Sequence, residues 1–99
     1  MKIPRSFKLF ATKINIVWNN SLMNEKEQYG SSRYSESEII LSTTHGINKL
    51  SDDKIIDTYY HEKTHMILNT MSRNDLSSDE QFVDVFAKLL RQSDETSEY

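Results

Sequence analysis

The chain has no cysteine among its 99 residues, so it can form neither a disulfide framework nor a thiolate metal site, and zinc fingers are excluded. Any metal it holds must be bound through nitrogen and oxygen. Long apolar runs are also missing. The opening residues, Met1-Lys2-Ile3-Pro4-Arg5-Ser6-Phe7-Lys8, carry positive charge with no hydrophobic stretch behind them, and no segment is long enough to span a bilayer. A soluble, cytoplasmic protein with no membrane partner is the expectation. Basic charge is not in excess: 15 acidic against 12 basic side chains leave a net charge of −3, which disfavours a broad phosphate-binding surface and argues against nucleic acid as a partner. Without repeats or low-complexity linkers, the chain suits one small domain with one modest core.

The first third reads as extended structure. Lys8-Leu9-Phe10 and Lys13-Ile14-Asn15-Ile16-Val17-Trp18 are rich in β-branched and aromatic residues and predict two strands or one bent strand, ending at a turn cluster, Asn19-Asn20-Ser21. Tyr29 to Tyr34 and Glu38 to Ser42 read as a hairpin. Ser51 is a good N-cap, with Asp52 and Asp53 in the first turn favoured by the helix dipole, so a helix is predicted from there to about Met71. Its buried face is read from Ile56, Tyr60, Thr64, Ile67, Leu68 and Met71. A second helix is predicted from Ser77 or Ser78, with Glu80 or Gln81 as capping-box partner and Phe82, Val83, Phe86, Leu89 and Leu90 as its apolar stripe. The result is an α+β domain over residues 1–92, a small antiparallel sheet followed by two packed helices, with an acidic, disordered tail from Ser93 to Tyr99.

The chemistry centres on His61-Glu62-Lys63-Thr64-His65, a His-Glu-x-x-His pattern inside the strongest predicted helix. Residues four apart on a helix lie one turn above each other, separated by about 6 Å of rise, so both imidazoles can converge on one ion. Glu62 projects roughly 100° away from His61, an angle that suits a general base acting on a water rather than a ligand. The bland alternative makes both histidines ordinary helix residues.

Two histidines leave a catalytic zinc short of its usual third protein ligand, which must here be a carboxylate or His45. Glu80 stands 15 residues after His65, enough for the first helix to finish and the chain to reverse, so it can return to the metal. Asp84, one turn further on, is then placed to accept the other ring N–H of a ligating histidine. The competing readings are a capping role for Glu80 and a solvated face for Asp84. His45 follows a strand and suits a transition-state donor, a substitute ligand or an exposed loop residue. The tyrosines offer hydroxyl donors, none singled out by the sequence. Zinc is the metal the motif favours, although nitrogen and carboxylate ligands also suit iron and manganese.

These residues resemble the minimal zincin-like metallopeptidases of bacteriophages and prophages. The likeness runs from Ile3-Pro4-Arg5-Ser6-Phe7 through the HEKTH helix to Asp79-Glu80-Gln81-Phe82-Val83-Asp84 and on to Gln92. The wider gluzincin group is similar, with a glutamate on a second helix as third ligand and an aspartate one turn later supporting a histidine. The resemblance implies zinc on His61, His65 and Glu80, Asp84 behind a ligand, Glu62 as base, and a polypeptide substrate paired along a sheet edge at Glu38–Ser42. The extra lobe that forms a substrate cleft in larger zincins has no counterpart in this length. A non-catalytic binding module and a zinc hydrolase of another amide are the other readings.

Overall fold

The computed structural model describes residues 2–99. Strands β1 (Ser6–Leu9) and β2 (Thr12–Trp18) pair antiparallel, Ser6 opposite Asn15 and Leu9 opposite Thr12. At Asn19 the chain does not simply turn: it enters a short helix, α1 (Asn20–Glu25), whose N-cap is Asn19, its Oδ1 accepting the Leu22 N–H at 3.0 Å. Asparagine serves turns and caps equally well, which is why the cluster read as a turn. Strands β3 (Gly30–Arg33) and β4 (Glu38–Leu41) form the expected hairpin.

The sheet order is β1-β2-β4-β3, and β2 and β4 run parallel. The domain is α+β as expected, but the sheet is mixed rather than wholly antiparallel. The strand beginning at Glu38 lies inside it, so the two edges are β1 and β3, and β3 is the one against α2. Ile39 and Leu41 are buried with Ile14, Tyr59 and Met66, and Phe7, Leu9 and Ile16 pack at the margin. Ile40 points to the opposite face, and α1, which lies against β4, buries Met23. A small hairpin, β5 (Thr44–His45) and β6 (Asn48–Lys49), turns through Gly46 at φ +61°.

Helix α2 (Asp52–Thr70) starts as predicted, Ser51 accepting the Lys54 N–H. Its burial is broader than one stripe because the sheet covers one side and the last helix another. Ile55, Tyr59 and Met66 face the core, Thr64 and Leu68 are buried too, and Met71, expected inside, is exposed. The helix approaches β3 closely: a Cβ on Gly30 would stand 2.6 Å from the Thr58 methyl, so glycine is required there.

Ser72, at φ +59°, ends α2 in the left-handed conformation, with the Arg73 N–H on the Leu68 carbonyl at 2.8 Å. This reversal leads through a single turn, α3 (Asn74–Ser77), into α4 (Glu80–Thr96). The N-cap of α4 is Asp79, which accepts the Phe82 N–H at 3.1 Å, rather than Ser77 or Ser78. Because α4 touches its neighbours on one side only, Val83 and Ala87 are buried while Phe86 and Leu89, expected in the core, are exposed. The segment from Ser93 continues as helix to Thr96, held by the Tyr60 hydroxyl donating to Asp94 at 2.9 Å and by the Arg91–Glu95 pair. Among the described residues, no helix is long and apolar enough to cross a membrane.

Candidate metal centre

His61 and His65 sit one turn apart on α2 with ring centroids 5.0 Å apart and planes at 71°. Glu80 enters from the first position of α4. With Asp79 as the cap, Glu80 lacks the capping-box position, three residues into the helix, that competed for its carboxylate. Its Oε2 is 3.3 Å from His61 Nε2 and its Oε1 is 3.4 Å from His65 Nε2. One donor atom from each of the three residues lies within 4.8 Å of the others, a group that could hold a metal ion. Tetrahedral nitrogen and oxygen donors about 2.0–2.2 Å from a common ion stand roughly 3.3–3.5 Å apart. Both histidine–glutamate separations fall in that range but run to different oxygens of Glu80, so the three residues could hold an ion once the carboxylate turns towards it.

Burial and the nearby His61 lower the pKa of His65 more than the Glu80 charge raises it. The ring is therefore held towards its neutral, ligand-competent form. Its Nδ1 lies 2.9 Å from Ser77 Oγ; with Nδ1–H donating to that hydroxyl, the Nε2 lone pair is left facing Glu80.

Asp84 does not take this supporting role. Its Oδ2 accepts from Lys88 Nζ at 3.0 Å, one turn along the same helix, and the polar slot beside His65 is filled by Ser77. Sequence reading missed Ser77 because a serine doublet before a helix looks like a cap and a one-turn helix has no periodicity to betray it. His45 lies in the β5–β6 hairpin, outside the three-donor group, with its ring tilted against Tyr29 at 4.9 Å and its Nδ1 buried without a hydrogen-bond partner.

Glu62 points into a polar trough of about 330 Å³ that it shares with the three donor residues and with Gly30, Ser31 and Ser32 of β3. Burial, and then the Glu80 charge, push its carboxyl up to about 7, while the Ser32 backbone N–H opposes the rise. The phase of β3 explains that contact. Tyr29 accepts the Ser42 N–H at 3.2 Å, so alternation gives Ser31 and Arg33 to β4 and turns the backbone groups of Gly30 and Ser32 to the open edge.

The two middle residues of the motif serve the scaffold. Lys63 lies over the rings of Phe7, Tyr59 and Tyr60, and the buried Thr64 hydroxyl donates to the Tyr60 carbonyl at 2.8 Å. Burial raises Tyr59 and Tyr60 to about 12, so both phenols stay neutral near pH 7. Compared with protein-family models, curated proteins and solved structures, the chain matches none. The functional reading therefore stands on the geometry of this site and on the sequence motif.

Proposed function

We propose that the protein is a zinc-dependent metallopeptidase of the minimal zincin-like kind, acting on polypeptides in the cytoplasm, with His61, His65 and Glu80 as ligands and Glu62 as general base. The observation that carries the reading is the convergence of two imidazoles and one carboxylate, with donor atoms within 4.8 Å of one another, beside a second carboxyl that burial raises to about 7. Bound zinc would supply Lewis-acid polarisation of the amide carbonyl and acidify a nearby water.

Glu62 takes the proton of the attacking water and passes it to the leaving amine, a role that suits a carboxyl whose pKa lies close to the working pH. Ser77 holds the His65 ring through the Nδ1–Oγ contact. The outward backbone groups of Gly30 and the Ser32 carbonyl are suited to pairing with an extended peptide, the Ser32 N–H being held by Glu62, which moves substrate pairing from the Glu38–Ser42 strand to β3. The trough beside them favours a backbone substrate over a small buried amide.

The test is zinc content and peptide hydrolysis of the parent, His61→Ala, Glu80→Ala and Glu62→Gln, after stripping metal and restoring one equivalent. Stoichiometric zinc in the parent, weakened in the two ligand variants and kept in Glu62→Gln with hydrolysis lost, is the expected result. Zinc binding indifferent to the ligand variants, or full activity in Glu62→Gln, overturns it. A non-catalytic protein-binding module is favoured by one feature, the exposed Val85, Phe86 and Leu89 on α4, and the same hydrolysis measurement separates the two.

A further inference from the structure

The face of α2 that carries His61 continues towards its N-terminus through Thr58, Asp57 and Lys54, at helical spacing. The face of α4 that carries Glu80 continues through Asp84, Ala87 and Lys88 in the same way. Together with Gln28, Tyr29 and Gly30 these faces enclose a cleft of about 420 Å³ that opens directly beside His61 and Glu62. Thr58, Ala87 and Gly30 are small and leave it deep enough for a long side chain. Its walls are charged.

The charges are not equally satisfied. Asp57 accepts from Arg91 at 2.7 Å, and Asp84 is paired with Lys88 at 3.0 Å. Lys54 has no carboxylate within 4.0 Å among the described residues; its ammonium rests 4.4 Å over the Tyr29 ring. A cation over an exposed ring is held weakly, by about 0.5–1 kcal/mol, and yields readily to an anion. Of the two ammonium groups that line the cleft, Lys54 is therefore the one without a carboxylate partner.

We infer that the cleft recognises an acidic side chain, glutamate above all, next to the bond presented at the site, with Lys54 as its counter-charge and specificity determinant. This rests on the peptide-hydrolysis reading for the position of the bond, but the choice of side chain is a property of the cleft itself and needs no turnover to be measured. Glutamate suits better than aspartate because Lys54 lies two helical turns, about 10 Å of rise, from His61 and calls for reach. Tyr29 contributes by holding the ammonium against the wall before the peptide arrives.

The experiment titrates ¹⁵N-labelled, zinc-loaded full chain, carrying Glu62→Gln so that peptides survive, with acetyl-Ala-Ala-Xaa-Ala-amide, where Xaa is Glu, Gln, Lys or Leu. Amide shifts of Gly30, Thr58 and Ala87 report on the cleft. The Glu peptide is expected to bind about tenfold more tightly than its Gln isostere. Lys54→Arg should keep that preference and Lys54→Gln should reduce it to about twofold or less. Equal binding of the four peptides, a preference for Lys or Leu, shifts confined to residues outside the cleft, or a Glu preference untouched by Lys54→Gln each overturns the inference. Zinc content is read on the same samples: failure to hold zinc with the Glu preference intact defeats the metal centre and leaves the cleft standing.

Discussion

The two ends of the α2–α4 pair handle charge in opposite ways. At one end Arg91, only 14% exposed, donates to Asp57 and Asp53 at 2.7 Å and to Glu95 at 3.1 Å, and Tyr60 donates to Asp94. Every carboxylate in that group has a donor. At the other end two imidazoles and two carboxylates gather with no lysine or arginine paired to Glu62 or Glu80 among the described residues, and one of them, Glu62, is forced towards its neutral form. Stability is concentrated where the charges are paired. The unpaired end holds one carboxyl away from its ordinary value at a cost in stability, and the proposed function rests on that end.

The satisfied end should lose the most stability on substitution. Arg91→Met should cost about 2–3 kcal/mol in denaturant unfolding, discounted from a fully buried network because Asp53 and Glu95 remain largely in water. A loss under about 0.5 kcal/mol would mean that the clamp is ornamental. The other end should respond with the opposite sign. In the metal-free chain, the Glu62 carboxyl stands at about 7 when folded against an ordinary value of 4.5, so the folded state holds a proton that the unfolded chain has released between those values. Stability then falls as pH rises through that window. Glu62→Gln should therefore stabilise the metal-free protein by about 1–3 kcal/mol at pH 8 and by nothing near pH 4, measured as thermal midpoints across pH. A gain that is flat with pH would remove the claim that burial raises this group.

Smaller effects sharpen the contrast. Ser77→Ala should weaken zinc binding about tenfold while leaving the fold intact, as expected when a ligand loses the partner that orients its ring. Competition with a chromophoric chelator reads this directly, and unchanged affinity would reduce Ser77 to a bystander. Ser72→Gly should add about 0.5–1 kcal/mol, because a left-handed helix end favours glycine, with metal affinity unaffected. A destabilised Ser72→Gly protein would mean that the serine side chain has a role beyond the turn.

What the sequence disclosed follows physical range. The α2 start at Ser51, the one-turn spacing of His61 and His65, and the return of Glu80 are local or governed by loop length, and all three are seen in the structure. The parallel β2–β4 pair was hidden because register across a crossover leaves no trace in either strand. The buried arc of α2 was misread for a related cause: periodicity marks apolar positions but not how many neighbours the helix has. The same gap put Phe86 and Leu89 of α4 in the core. Asp84 was lost to a competitor four residues away, Lys88, which charge pattern alone could have suggested.

The open edge of β3 is short. Only Gly30 and Ser32 turn their backbone groups outward, in a strand of four residues spanning roughly 13 Å. A grip of two residues is too short to extract a dilute peptide from solution. On the proposed peptidase reading, so short an edge suits targets delivered to it, by tethering, by co-assembly or by abundance, where effective concentration replaces affinity. On that view selectivity lies as much in who is brought near as in what the edge can hold.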